Sequence, residues 1–257
     1  MKRFLPILAV LLVCVGLFCL AQAPSRAQGW LPLGAASGGG GSFSLTYATF
    51  ANNAPTCCSG VTLVDFNTLT WGPGCNALVV DVTFSGPPTA IDVSGISIGG
   101  SGGTGGLGGS EVTGSYASNT SGNVFSTIWQ TSGAPSGSSG DVGVSFTGAV
   151  GQFSSDVSVA LYCLISAHLT GVGANSQTFA TSVSQSIAVP SGGKGIAAVL
   201  QSSSGAVTLT NATLDKGPVG SSVFSNFASV TGNGSTIAVT AGGPNVSWAL
   251  SEAAWGP

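Results

Sequence analysis

From residue 43 onward, apolar and polar residues alternate in short runs separated by Gly, Pro, Ser and Asn. The clearest run covers 77–84. There Leu78, Val80, Val82 and Phe84 share one face and Val79, Asp81 and Thr83 the other, the two-residue period of a β-strand. Runs of the same kind cover 43–50, 61–66, 89–98, 123–131, 142–150, 156–165, 177–189, 196–201, 206–210, 221–230, 235–240 and 246–254. This pattern predicts about twelve or thirteen strands. No window of twelve residues carries a 3.6-residue apolar stripe of helix-forming composition. Short strands at even spacing with turn residues between them indicate a sandwich or barrel. We therefore expect an all-β fold, a two-sheet antiparallel β-sandwich of jelly-roll or Ig-like type, as a single domain over 43–257. Two stretches interrupt the pattern. The glycine tract 99–110 reads as a long surface loop and 132–141 as a shorter one.

Composition sharpens this reading. Charged residues make up only 5% of the 257 residues, while 41 are glycine, which excludes charged disordered tails and long helices. The first residues have the layout of a secretory leader: Lys2 and Arg3, an apolar run from Phe4 to Leu20, then small residues. Cleavage after Ser25-Arg26-Ala27 is preferred to cleavage after Ala21-Gln22-Ala23, because Pro24 would directly follow the latter bond. The expected organisation is a signal peptide over 1–27, a flexible segment over 28–42, and the sandwich. Without the leader, the basic residues are Lys194 and Lys216 against eight acids, a net charge near −6. Two isolated lysines cannot neutralise a phosphate backbone or form a polybasic membrane patch, so neither nucleic acid nor, after cleavage, a membrane is an expected partner.

Removal of the leader also removes Cys14 and Cys19 and leaves Cys57, Cys58, Cys75 and Cys163. An even count in an oxidising compartment predicts two disulfides. A bridge between neighbouring Cys57 and Cys58 would strain their shared peptide. Each is therefore expected to join Cys75 or Cys163, in an order the sequence leaves open. A four-thiolate zinc site would need C-x-x-C pairs that are missing, so no metal is expected.

Catalytic motifs are weak. Gly103-x-Gly105-x-x-Gly108 matches a dinucleotide fingerprint, but no helix is predicted after it to hold a pyrophosphate, and no cofactor is expected. Gly99-x-Ser101-x-Gly103 matches a nucleophile elbow, for which the single His168 would have to be the base. Glu111, Glu252 and the aspartates Asp65, Asp81, Asp92, Asp141, Asp156 and Asp215 show no clustering, and solvent-facing strand positions or turn caps account for them. Trp71 and Tyr116 are the candidate ligand contacts if the protein binds glycan through loop aromatics. Sequons occur at Asn119, Asn211, Asn233 and Asn245.

Several segments follow a recurring order: Ile96-Ser97-Ile98-Gly99-Gly100, then Ile128-Trp129-Gln130 with Ala134-Pro135-Ser136-Gly137, then Asp141-Val142-Gly143-Val144-Ser145-Phe146-Thr147-Gly148. Ile187-Ala188-Val189-Pro190-Ser191-Gly192-Gly193 and the closing Ala253-Ala254-Trp255-Gly256-Pro257 continue it. Over about 43–257 the chain resembles a loosely defined group of β-sandwich proteins encoded by phages, prophages and bacteria. The resemblance implies a structural or surface-display role, in a virion or on a cell surface, and brings no catalytic residues. The secretory leader favours a cell-surface, periplasmic or extracellular setting, or a virion that acquires its proteins at a membrane. The expected function is an exported, non-enzymatic structural or attachment subunit whose partners are itself or other surface or virion subunits. The alternatives are a secreted carbohydrate-binding module and a secreted hydrolase using His168.

Overall fold

Runs rich in Val, Ile, Thr and Ser favour the extended backbone, and an extended segment can satisfy its N–H and C=O groups only by pairing with other segments. The computed structural model describes residues 42–53, 61–86, 91–150, 156–221 and 223–257. Among these residues there is no helix, and the strands form two antiparallel sheets, a β-sandwich. The nine-stranded sheet has the order β1 (Ser44–Asn53), β9 (Val157–Ile165), β3 (Ala77–Ser85), β7 (Val124–Thr131), β5 (Leu107–Glu111), β4 (Val93–Gly100), β8 (Ser139–Val150), β2 (Val61–Thr70). β6 (Ala117–Asn119) lies beside β7. The six-stranded sheet has the order β10 (His168–Val189), β15 (Ser235–Gly256), β11 (Lys194–Gln201), β14 (Phe224–Thr231), β13 (Thr213–Val219), with β12 (Thr208–Thr210) on β15. The leader and the segment after it lie outside the described residues.

The larger sheet turns a corner within β5. Leu107 and Gly108 pair with Ile98 and Ser97 of β4, whereas Gly109, Ser110 and Glu111 pair with Thr131, Gln130 and Trp129 of β7. Its two halves therefore face each other across one core, where Leu78, Val80, Val82 and Phe84 meet Val64, Phe66, Val142, Val144 and Phe146. A side chain at the corner has no room. A Cβ on Gly109 would lie 2.6 Å from Ile96 Cδ1 and 2.9 Å from the Gln130 carbonyl oxygen. The glycine tract expected as a surface loop is thus the end of β4, a tight turn closed by the Ser101–Thr104 bridge, and β5. Glycine here serves close backbone packing as well as flexibility: a Cβ on Gly143 of β8 would fall 1.8 Å from the Gly103 carbonyl oxygen.

The second sheet covers the outer face of β1, β9, β3 and β7. Val79, Ile128, Ala160, Tyr162 and Leu164 pack there against Ile196, Ala198, Phe227, Ala253 and Trp255. Strands β3 and β9 are buried along nearly their whole length, so the positions opposite Leu78 and Val80 face protein and not water.

β10 and β15, which four other strands separate in sequence, form one long antiparallel ladder with strands of 22 residues each. The two separate runs expected at 235–240 and 246–254 are one strand, and β10 begins earlier than expected, at His168. The ladder is irregular between Gln177 and Ser182, and its far half folds back over the near half. Val183, Ile187, Ile237 and Val239 from the far half share a core with Ala197, Val199, Leu250 and Ala254. The indole of Trp248 donates to the Ala180 carbonyl (2.7 Å) and Asn175 Nδ2 to the Ser184 carbonyl (2.6 Å), fixing the fold-back. At the bend Phe179 has φ +50° and is 76% exposed.

Cys75, in the β2–β3 turn, is bonded to Cys163 of β9. This overturns the expectation that each of these cysteines joins Cys57 or Cys58. Pairing is set by which strands are neighbours: β3 and β9 are adjacent and place Leu78 opposite Cys163, which brings the turn before β3 to that end of β9. Cys57 and Cys58 lie outside the described residues. Closing a loop of 88 residues stabilises the fold by about 4–5 kcal/mol in the chain-entropy model.

Two outcomes follow from this packing. Peptide mapping without reductant should recover Cys75 linked to Cys163, and Cys163→Ser should lower stability in urea by about 3–5 kcal/mol. Gly143→Ala should cost about 2–3 kcal/mol by forcing β8 away from the tract. Gly133→Ala, where a Cβ meets nothing within 4 Å, should change stability by less than about 0.5 kcal/mol.

Candidate functional site

The interface between the two sheets carries a group of buried polar side chains. On β3, Asp81 and Thr83 face the second sheet, as do Ser126 of β7 and Ser158 and Tyr162 of β9. Hydroxyl pairs span the interface. Thr83 Oγ1 and Ser225 Oγ are 2.7 Å apart, Ser225 donates to Ser158 Oγ (3.1 Å), and Ser126 and Ser251 hydroxyls are 2.5 Å apart. Trp255 Nε1 donates to Gln130 Oε1 at 2.9 Å. Small hydroxyls suit this position because each can rotate to find a partner while the sheets stay close.

At one edge of this interface an acidic cluster forms. Asp215 of β13 accepts hydrogen bonds from the Tyr162 hydroxyl (3.1 Å) and from Ser229 Oγ (2.6 Å). Burial raises the Asp215 carboxyl above its ordinary value, against the lowering effect of Ser229, Tyr162 and the Lys194 ammonium. Asp81 is fully buried and neither of its carboxylate oxygens has a partner, so burial, with the nearby Asp215 charge, holds its proton well above the usual carboxylate range. Tyr47 packs edge-on against Tyr162 with ring centroids 5.7 Å apart. Lys194 donates to the Leu45 carbonyl (3.3 Å), and the Lys216 ammonium sits 5.5 Å from the Phe50 ring centroid. Both lysines among the described residues therefore lie where β1 meets the second sheet.

Glu252 of β15 is likewise fully buried with both carboxylate oxygens unpartnered, on the face it shares with Leu250 and Ala254. Burial pushes its pKa up to about 9. Asp81 and Glu252 correct the expectation that the acids occupy solvent-facing strand positions. Those positions are enclosed because a second layer lies against each strand. Asp156 is buried too and accepts from the Ser221 backbone N–H (2.7 Å) and hydroxyl (3.1 Å). Asp65 and Asp141 do approach each other, and burial and then the Asp141 charge raise the Asp65 carboxyl. Asp141 meanwhile accepts from the Thr68 and Gly102 backbone N–H groups (3.1 and 3.2 Å). Among the described residues no three His, Cys, Asp or Glu side chains form a group able to hold a metal.

The aromatic contacts expected for a glycan are not presented to solvent. Trp71 is 3% exposed, with its indole donating to the Gly137 carbonyl (3.1 Å). Tyr116 is half-buried against the first core and donates its hydroxyl to the Ile91 carbonyl at 3.0 Å. Both residues stay in loops, but the Trp71 ring enters the core and the Tyr116 ring packs against it, where large apolar surface is most stabilising. His168 is exposed at the start of β10, paired with Gly256. The Gly99-x-Ser101-x-Gly103 segment is a hairpin turn and not a strand-to-helix elbow.

Sequence reasoning missed the outward face of the folded-back β10–β15 ladder. Ser182, Ser184 and Ser186 of β10, Thr236 and Thr240 of β15, and Thr208 and Thr210 of β12 alternate with the buried residues of the third core and point away from it. Ser184 and Thr240 hydroxyls are 2.8 Å apart. No charged side chain interrupts these positions. Beside this face lies an open groove of about 450 Å³, formed by the β12–β13 turn, β14, the β14–β15 turn and β15. Asn211, Thr213, Ser229, Thr231, Asn233 and Thr236 line it, with Ala212, Ile237 and Ala238. The sequence marked Asn211 and Asn233 only as sequons, and nothing local announces that they share a groove.

No family model, curated protein or solved structure matches the chain. No helix among the described residues is long and apolar enough to cross a membrane.

The buried acids make stability depend on pH with a definite sign. Below about pH 4.5 Glu252 is protonated whether folded or unfolded. Between 4.5 and about 9 only the folded form keeps its proton, so stability falls as pH rises through that window. Glu252→Gln should therefore gain on the native protein between pH 4.5 and pH 8, by about 3 kcal/mol or more in urea titrations. An equal difference at both pH values would show that Glu252 is ionised in the folded protein.

Proposed function

We propose that the protein is an exported, non-enzymatic structural or attachment subunit of a cell surface, an extracellular assembly or a virion. The observation that carries this reading is the outward face of β10, β12 and β15, a plane of hydroxyls and small methyls without charge. Such a face has low desolvation cost and no like-charge repulsion when it meets a second surface. The edge strands add to this. Among the described residues β1 is laddered to β9 and β2 to β8, at the two ends of the larger sheet's strand order. The acids least like ordinary surface groups, Asp81 and Glu252, are enclosed between layers, where a substrate has no access.

The Cys75–Cys163 disulfide is compatible with export, because such bonds form and persist in oxidising compartments. The likeness of the strand-and-turn segments to phage, prophage and bacterial β-sandwich proteins also favours a display or scaffold role.

Multi-angle light scattering and negative-stain electron microscopy of the mature protein test the proposal. Oligomers, filaments or adhesion to a cell envelope are expected. Lysines at Ser184 and Thr210, on the uncharged face, should weaken association at least tenfold while leaving the thermal midpoint within about 2 °C. A strictly monomeric protein that adheres to no surface would overturn the reading.

A further inference from the structure

We propose that the groove between the β12–β13 turn and β15 is a binding site for a neutral saccharide. This names a ligand class for the attachment role and rests on that reading only for its biological setting.

The argument begins with hydrogen-bonding capacity. Ser229 lines the groove, but its hydroxyl is committed to Asp215 at the sheet interface. Asn211 Nδ2 is committed to the Ala238 carbonyl at 2.7 Å, which leaves its amide oxygen as an acceptor. Asn233 has the opposite commitment. Its oxygen accepts from the Ser235 N–H (3.1 Å) and hydroxyl (2.6 Å), which leaves its NH₂ as a donor. The hydroxyls of Thr213, Thr231 and Thr236 can serve either way. The groove thus offers an acceptor, a donor and ambivalent hydroxyls within one space, the pattern that sugar hydroxyls, themselves donors and acceptors, can satisfy.

Shape and charge narrow the class. Ile237, with the methyls of Ala212 and Ala238, supplies an apolar strip suited to the C–H face of a pyranose ring. The volume of about 450 Å³ falls within the range of small-molecule sites. No basic side chain lines the groove, and the Asp215 carboxyl stands behind Ser229. Uronates, sulfated sugars and phosphates would therefore meet no counter-charge and one repulsive group. No aromatic ring is present on which a nucleobase could stack.

The test titrates the mature protein, purified from a host that does not glycosylate it, with cellotetraose, chitotetraose, mannotetraose and tetragalacturonate, read by amide chemical shifts. At least one neutral tetrasaccharide should bind at millimolar affinity or tighter, with shifts concentrated at residues 211–213, 229–233 and 236–238. Tetragalacturonate should bind at least tenfold more weakly. Thr213→Arg, which places a long side chain into the groove from an exposed position, should weaken binding at least tenfold. Thr208→Arg, on the outward face, should leave it unchanged. Absence of shifts with all three neutral sugars, shifts located elsewhere, or equal binding of the uronate would overturn the proposal. Assembly without saccharide binding would overturn this site and leave the subunit role standing. Saccharide binding by a strict monomer that adheres to no surface would do the reverse.

Discussion

Strands β3, β7 and β9 are covered on both faces, and the rest of the molecule answers to that constraint. One face of each strand meets the folded-over half of its own sheet, the other meets the second sheet. A strand in this position cannot expose its polar residues to water, so every hydroxyl facing the second sheet needs a partner across the interface. The pairs Thr83–Ser225, Ser225–Ser158 and Ser126–Ser251 supply them. Asp81 has no such partner, and its cost is reduced by holding a proton instead. The same solution recurs at Glu252, on the other face of the second sheet.

Close layering also accounts for the glycines. A chain with few charges and many hydroxyls can bring backbones nearer than side chains would permit, and the turn at 101–106 lies directly on β8 for that reason. The corner at Gly109 lets one sheet supply both walls of a core, so a single curled sheet and one flanking sheet suffice for the sandwich. The long β10–β15 ladder then covers its own outer face by folding back, which places its hydroxyl side against solvent.

Charge is distributed to match. Lys194 and Lys216 lie at the margin of the sheet interface, near Asp215 and Phe50, and two of the eight acids, Asp81 and Glu252, are enclosed without partners. What faces outward on β10, β12 and β15 is consequently neutral. A neutral hydroxyl surface beside a groove of amides and threonines is a place for contact through many weak hydrogen bonds. The chemistry available there differs from the aromatic platform that Trp71 and Tyr116 suggested, since both rings are held in the first core.

The alternation along the chain by itself determined that the protein is all-β and located most strands, because side-chain period is a local property of the backbone. Leu78, Val80, Val82 and Phe84 were legible as one buried face for the same reason. Low charge and the scarcity of basic groups were equally plain. Tertiary structure alone decided what lies against the opposite face of β3, that Cys75 meets Cys163, that the glycine tract packs, and that Asn211, Ser229 and Asn233 share a groove. Ser126 and Ser251 are 125 residues apart in sequence and within 2.5 Å in space. A two-residue period tells which side chains point the same way, but not which distant strand will stand in front of them, and burial, protonation and recognition all depend on that neighbour.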